Sequence, residues 1–351
     1  MLEIISASGL PQIISITVNL SAEEAVRTAE ITVVPVGETV PVSPGQETVI
    51  TAGADVLLTG YVRDVRPGHT ATERTLVVTV CSRTVDATEC SIEHPTGEVI
   101  EKDLAAIAKE LDSLKIGIET DGTKFPKEPR HKVRDGETLF STIERRARGR
   151  GILIYDTPKG RLKLATKPEG THTGGLIWGV NIEQASSELT ERGRYSEVKV
   201  RGQATHGTDK QQLRGQSVAK DSGVKRSRPL VILHEGETTV DRQKTRAEWG
   251  AKRGAGFAST ASATITGWRD SSGKIWDRNW LVYVEDPWIG IEGMMVIKGV
   301  SLTQDTSDGG PGTIATLSLA DPRALGGENP RGKTATVYSA PGAITVDWED
   351  E

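Results

Sequence analysis

Apolar residues alternate with polar ones, at a period of two, along most of this chain, and that sets the tightest limit on its fold. Ile14, Ile16 and Val18 alternate with Ser15, Thr17 and Asn19, the mark of a strand with one buried and one wet side. AEITVVPV (29–36), DVLLTGYVRDV (55–65) and RTLVVTVCSR (74–83) continue the pattern, with the turn clusters SPGQ and RPGHT between strands. Four or five antiparallel strands at this spacing predict a small barrel-like domain or sandwich over residues 1–90.

Near residue 95 the period changes. Ile100, Leu104, Ile107 and Leu111 fall on one face of a helix, and Leu114, Ile116 and Ile118 then return to alternation. A second helix is expected from Asp135 as N-cap, with Leu139, Ile143 and Ala147 on its inner side. ILIYD, the turn TPKG and RLKLA read as a hairpin, so residues 91–175 form a smaller mixed α/β unit.

Strand signals then resume and define a second barrel-like β domain over 176–330. RYSEVKVRG (194–202) is a strand that is free to return to the first domain, and the polar stretch 204–228 is expected as a long exposed loop. PLVIL (229–233) is a strand, a helix is expected near 238–254, and four further strand segments lie between 257 and 322. Five of the seven tryptophans fall between Trp249 and Trp288; core packing is expected for most of them, with a rim position at a protein interface as the alternative. The fold class is therefore α+β, mainly β, with two barrel-like domains flanking an α/β unit and a C-terminal tail at 331–351.

The chemistry-bearing residues are scattered. The six histidines, at 69, 94, 131, 172, 206 and 234, form no metal-binding pair at helical spacing. Cys81 and Cys90 fit neither CxxC nor a zinc knuckle and read as reduced thiols. A net charge of −5 argues against general nucleic-acid binding. The basic run RRARGR (145–150) reads as the solvated C-terminal end of the second helix, where positive charge complements the helix dipole. GENPRGKT (327–334) fits the phosphate-loop pattern, but residues 335–351 are β-branched, broken by Pro341 and a poor helix, so the match reads as coincidence. No residue is nominated as catalytic, cofactor-binding or metal-ligating, no cofactor is expected, and no apolar run is long enough for a membrane span. The N-terminus lacks a signal-peptide pattern, so synthesis in a cytoplasm is expected.

The order of these segments resembles the baseplate hub proteins of Mu-like contractile phages, together with the late-control D group and the hub portion of type VI secretion spikes. CSRTVDATEC (81–90), GETLFSTIERRARGRGILIYDTPKGRLKLA (136–165) and the closing strands GKIWDRNWLVYVED, GMMVIKGVSLTQD and GTIATLSLADPRAL carry the resemblance, which spans residues 10–325. It implies a structural hub with no catalysis of its own: a homotrimeric ring joining a hexameric tail tube to a trimeric central spike. It implies further baseplate proteins as partners, a place in the virion tail, and a channel that DNA crosses without specific binding. The alternatives are a tail-associated cell-wall hydrolase and a glycan-binding tail protein using Trp276 or Trp280.

Overall fold

The computed structural model describes residues 2–147, 150–202, 216–234 and 240–325. GENPRGKT, the tail 331–351 and the first part of the 204–228 segment lie outside the described residues.

The first β region comprises β1 (Ile5–Ala7), β2 (Ile13–Ser21), β3 (Thr28–Val33), β4 (Glu47–Ala52), β5 (Asp55–His69) and β6 (Arg74–Ser82). Its alternation works as read: Ile16, Val18, Ile31, Val33, Val78 and Val80 point into one core, while Thr17, Asn19 and Glu30 point away. Each large apolar side chain buried in this way contributes roughly 1.5–3 kcal/mol relative to exposure. β5 and β6 approach closely at Gly60, where a Cβ would lie 1.8 Å from the Cys81 carbonyl oxygen.

Next come α1 (Val85–Glu89), β7 (Glu98–Asp103), α2 (Leu104–Leu111), β8 (Ile118–Thr120), β9 (Lys127–Lys132), α3 (Leu139–Ala147), β10 (Leu153–Asp156) and β11 (Leu162–Ala165). The first helix is shorter than its apolar spacing suggested. Asp103 caps it by accepting a 2.8 Å hydrogen bond from the Ala106 amide, and Ile100 lies instead on β7, exposed. The second helix begins after Thr138 rather than at Asp135, because Thr138 and Ser141 cap each other's amides at 3.2 and 3.0 Å. Leu104, Ile107, Leu111, Leu139, Ile143 and Leu162 close this unit's own core. The expected hairpin is present, with β10 antiparallel to β11 and Gly160 at φ +69° in its turn.

The remaining strands are β12 (Leu176–Ile177), β13 (Ile182–Leu189), β14 (Glu197–Gly202), β15 (Gln216–Lys220), β16 (Pro229–His234), β17 (Ser259–Thr266), β18 (Leu281–Asp286), β19 (Ile291–Asp305) and β20 (Gly312–Ala320). Helix α4 (Val240–Gly256) precedes β17, and a single 3-10 turn (Pro322–Leu325) follows β20. The strand expected at 194–202 does not return to the first β region. It is the centre of a separate sheet, β15-β14-β16, and part of the expected 204–228 loop supplies β15. Alternation of Val198 and Val200 against Ala219 makes one side of that sheet apolar, and Ala247 and Ala251 of α4 cover it.

The two β regions are joined. β19 is 15 residues long: its first half pairs β18, its second half pairs β2, and β20 runs along its other edge. A register irregularity between Ile297 and Gly299 marks the change of partner. The result is one 12-stranded sheet whose main path runs β1-β4-β5-β6-β3-β2-β19-β20-β17-β13. The molecule is thus mainly β with few helices, as expected, but no closed barrel is formed among the described residues. A strand long enough to serve two partners merges what local periodicity reads as two units.

Candidate assembly surfaces

Three segments distant in sequence meet at a buried ionic node. Arg27 precedes β3, Asp156 ends β10, and Arg278 precedes β18. Arg27 Nε donates to Asp156 Oδ2 at 2.8 Å, and Arg278 Nη2 donates to Asp156 Oδ1 at 2.6 Å. Arg27 also donates to the Leu57 carbonyl and Arg278 to the Asp156 carbonyl, so one carboxylate ties both β regions to the α/β unit. Burial opposes charge on both arginines and leaves the Arg27 pKa lowered. At Arg278 the carboxylates of Asp277 and Asp156 outweigh burial and raise it. Beside the node, Asn279 donates to the Tyr155 hydroxyl at 3.0 Å, and that hydroxyl donates to Glu169 at 2.5 Å. Burial, then the Glu169 contact, pushes the Tyr155 pKa up, so the phenol stays protonated.

A second latch lies in the later β region. His172 is buried and its Nδ1 donates to Asp270 Oδ2 at 2.8 Å, while Nε2 accepts from the Asp277 amide at 3.3 Å. These two bonds fix a neutral imidazole. Burial lowers its pKa, against the opposing pull of Asp270. The ring packs against Trp276 and Trp280 at centroid distances of 4.6 and 5.0 Å. Both ring nitrogens are therefore engaged in structure, and the His172–Asp270 pair has no free nitrogen with which to activate a nucleophile.

Two outer surfaces contrast with these buried nodes. One is apolar and surrounds the β18–β19 turn: Trp288 is 87% exposed, Val180 76%, Trp178 60% and Leu189 59%. The Trp178 amide donates to Glu285 at 2.9 Å, the Trp288 amide to Asp286 Oδ1 at 3.1 Å, and the Ser187 hydroxyl to the Ile289 carbonyl at 2.7 Å. The rim is thus tied to one turn by backbone and side-chain hydrogen bonds. Isolated exposed apolar residues are ordinary; a cluster containing two tryptophans is the kind of feature that marks a protein contact.

The other surface is the wet face of the joined sheet, ruled by small hydroxyl and amide side chains. Thr28, Asn19, Ser301, Thr316 and Thr264 stand in register across five strands. Thr17 and Thr303 pair across the β2–β19 seam at 3.3 Å, and Thr264 pairs Thr316 at 3.1 Å. A shallow concavity of about 600 Å³ lies over this face, and among the described residues Lys298 is the one cation lining it, beside Glu24 and Glu188.

Comparison with known proteins bears on this geometry. Residues 84–166, from α1 to β11, match the model of the baseplate hub protein gp44-like second domain. Residues 238–328 match the fourth domain of the Mu phage baseplate assembly protein GpP. The baseplate hub protein gp44 of Escherichia phage Mu is 26% identical over 280 residues, covering 76% of this chain and 73% of the relative. The chain is similar to the Mu-like baseplate hub proteins across most of its length. The 43 kDa tail protein of prophage MuSo2 from Shewanella oneidensis has a similar structure, with TM-score 0.79 and 27% identity over 93% of this chain and 100% of its own. A tail protein from Neisseria meningitidis MC58 shares the fold at TM-score 0.76 and 18% identity, over 93% of this chain and 99% of its own.

Within this hub protein the features singled out in the sequence fall in different places. Of the basic run 145–150, Arg145 and Arg146 lie in the last turn of α3 as expected, but they and Arg150 are paired rather than merely solvated. Arg145 donates to Glu137 at 2.8 Å, Arg150 donates to buried Glu128 at 2.5 Å, and Arg146 donates to buried His131 at 3.2 Å. These arginines serve the α/β core because β9 places a buried carboxylate opposite the helix end. Cys81 is buried and Cys90 exposed, both free thiols. Among the described residues, no three His, Cys, Asp or Glu side chains are grouped to hold a metal ion, and no helix is long and apolar enough to cross a membrane. Trp268 and Trp276 are core, as expected for most of the cluster, and Trp288 is rim. Burial removes Trp276 from any sugar-stacking role, and Trp280 is capped by the Lys274 ammonium at 3.8 Å from its ring. Sequence reasoning passed over Arg27, Asp156, Arg278 and Trp178. Only the adjacent Asp277-Arg278 charges hinted at the node, and nothing local marked their partners.

Proposed function

We propose that this hub protein acts without catalysis of its own, as a homotrimeric ring in the virion tail, between a hexameric tail tube and a trimeric central spike. The observation that carries the reading is the β2–β19 seam. It sets two β regions side by side in each chain, so three copies present six similar β modules to a six-fold partner and three chains to a three-fold one. In this reading each β region is a barrel-like half completed in the assembly, where sheet edges left open in one chain are covered by neighbours. The apolar rim of Trp178 and Trp288 supplies a contact with a neighbouring subunit or another baseplate protein.

The hydroxyl-ruled face lines the channel. Its hydroxyl and amide side chains carry no charge, Glu24 and Glu188 line it beside Lys298, and a chain of net charge −5 holds a polyanion weakly, so DNA passes without specific binding. Synthesis in the host cytoplasm before assembly completes the scheme. Light scattering of the purified chain, with negative-stain imaging alone and with tube and spike proteins, tests it. A ring of three-fold mass is expected; a protein that stays monomeric and joins neither partner overturns the reading.

A further inference from the structure

Two exposed surfaces of this chain are both apolar and carry opposite charge. The first is the open face of the sheet β15-β14-β16, whose other face α4 covers. Lys199 stands between Val218 and Val231, and Arg201 between Gln216 and Leu233, all on the open face because residues opposite each other in a ladder point the same way. Val218, Val231 and Leu233 are 41%, 47% and 72% exposed. Lys220 lies opposite Glu197 on the same side. Glu197 is already engaged by Lys199 at 2.8 Å, and Arg201 donates to the neutral Gln216 at 3.0 Å. Among the described residues this face thus holds three cations and one carboxylate, in a chain of net charge −5.

The second is the rim around the β18–β19 turn. Neither 174–190 nor 281–297, the two segments that build it, contains a lysine or an arginine. Glu285 and Glu292 are exposed and stand directly opposite each other on β18 and β19, where like charges repel. Burial, then the charges of these two carboxylates, pushes up the pKa of Tyr283 on the same face. Trp178 is bound to Glu285 through its amide, Trp288 follows three residues after Glu285, and Leu189 lies 3.4 Å from the place a Cβ would take on Gly290 of the turn. The rim therefore sets unbalanced negative charge beside exposed tryptophans. Both surfaces are exposed in the same chain, so neither covers the other there, and a second copy is what brings them together. Two different surfaces of one chain that fit each other make a head-to-tail contact, which closes into a ring when the rotation between copies divides a full turn.

We propose that the β18–β19 rim of one copy seats on the open face of β15-β14-β16 of the next. Glu285 and Glu292 meet Lys199, Arg201 and Lys220, and the rim tryptophans meet Val218, Val231 and Leu233. The contact rests on the homotrimeric reading above and is where that ring closes. Each chain carries one surface of each kind, so three copies make three identical contacts with none left over. Opposite charge fixes the orientation of the copies, and burial of the tryptophans supplies the affinity.

The test is charge exchange in the full chain, read by sedimentation over a range of concentrations, alone and with tube and spike proteins. Lys199→Glu with Arg201→Glu, or Glu285→Lys with Glu292→Lys, sets like charges against each other across the contact and is expected to weaken self-association roughly thirtyfold or more. The chain with all four substitutions opposes an acidic sheet face to a basic rim, and its self-association is expected to recover to within about threefold of the parent. Rising salt weakens the parent's association. Self-association that survives either pair of substitutions, or a fourfold chain that fails to recover, overturns the proposal while the ring stands. So does a substitution that weakens only the binding of tube or spike protein, which gives the surface to that partner. A parent that stays monomeric with every partner overturns the ring, and the contact with it. Melting curves check that each variant folds. Where a charge-reversed chain does not, Lys199→Gln with Arg201→Gln and Glu285→Gln with Glu292→Gln take its place; each is expected to weaken self-association, and unchanged association overturns the proposal.

Discussion

Arg278 and Asp156 lie 2.6 Å apart with side chains each 1% exposed, although they come from different cores of the molecule. Asp156 also holds Arg27 at 2.8 Å, so its loss leaves the buried Arg27 guanidinium without its carboxylate partner and Arg278 with Asp277 alone. Asp156→Ala is expected to cost about 3–5 kcal/mol, the usual penalty for breaking a buried ion pair from one side. The exposed Arg63–Glu89 pair is the control, and Arg63→Ala is expected to cost no more than about 1 kcal/mol. Urea unfolding monitored by circular dichroism measures both. Equal effects would show that the node is not what ties the regions together.

Gly60→Ala tests the closeness of β5 and β6. A Cβ at Gly60 meets the Cys81 carbonyl oxygen at 1.8 Å and its carbon at 2.7 Å, and both are backbone atoms that cannot rotate away. The strands must separate, with loss of ladder hydrogen bonds and packing around Val78 and Val80. A loss of about 2–4 kcal/mol is expected, larger than the ordinary effect of a single substitution. Gly97→Ala makes a spatial control, since nothing lies within 4 Å of its Cβ position and only its φ of +61° opposes the change. A Gly60→Ala protein no less stable than Gly97→Ala would refute the argument.

Much of this fold was legible because period-two patterning is a local signal. Ile16, Val18, Val78 and Val80 announce their strands without knowledge of any partner. What could not be read was pairing at a distance. The β2–β19 seam matches Val18 to Leu302, 284 positions later, and no local feature of either strand names the other. The same limit hid the ionic node, because Arg27, Asp156 and Arg278 each look like solvated charges until three cores bring them together. The helix starts were misplaced for a different reason. Strand β7 claimed Ile100, so Asp103 caps α2, and the mutual cap of Thr138 and Ser141 outcompeted Asp135 at the start of α3. The second tryptophan of the rim went unread because Trp178 lies far from the cluster at 249–288.

Stability should decline in mild acid, and His131 should be a principal reason. Its Nε2 donates to the Thr142 hydroxyl at 3.0 Å and its Nδ1 accepts from Arg146 at 3.2 Å, so the folded ring is neutral. Burial, then the charges of Arg146 and Arg145, pushes its pKa down to about 4. An unfolded histidine takes a proton near pH ~6.5. Between those values the unfolded chain binds a proton that the native protein refuses. The stabilising contribution is therefore present above pH ~6.5 and is lost as pH falls towards about 4. His172, also lowered by burial, acts with the same sign. Urea midpoints across this range should drop steadily with pH, and His131→Gln should flatten the slope. An unchanged slope in that variant would remove His131 from the account.

The apolar rim makes a prediction that separates folding from assembly. Trp288 is 87% exposed and Trp178 60%, so their truncation removes little from the monomer's core. Trp288→Ala and Trp178→Ala are each expected to change unfolding free energy by less than about 0.5 kcal/mol, as for ordinary surface positions. At a protein contact the same groups belong to the residue type that dominates binding, where truncation costs about 2 kcal/mol or more. Each substitution should therefore weaken self-association, or association with tube or spike protein, by roughly thirtyfold while leaving the melting curve in place. Trp268→Ala gives the opposite pattern. Its buried indole donates to the Thr303 and Ile314 carbonyls at 3.0 Å each, and its removal should cost about 3–5 kcal/mol in folding. Sedimentation of the three variants alongside their unfolding curves checks both halves. If Trp288→Ala and Trp178→Ala assemble as well as the parent with every partner, the rim is ordinary surface and the proposed contact at these two residues falls.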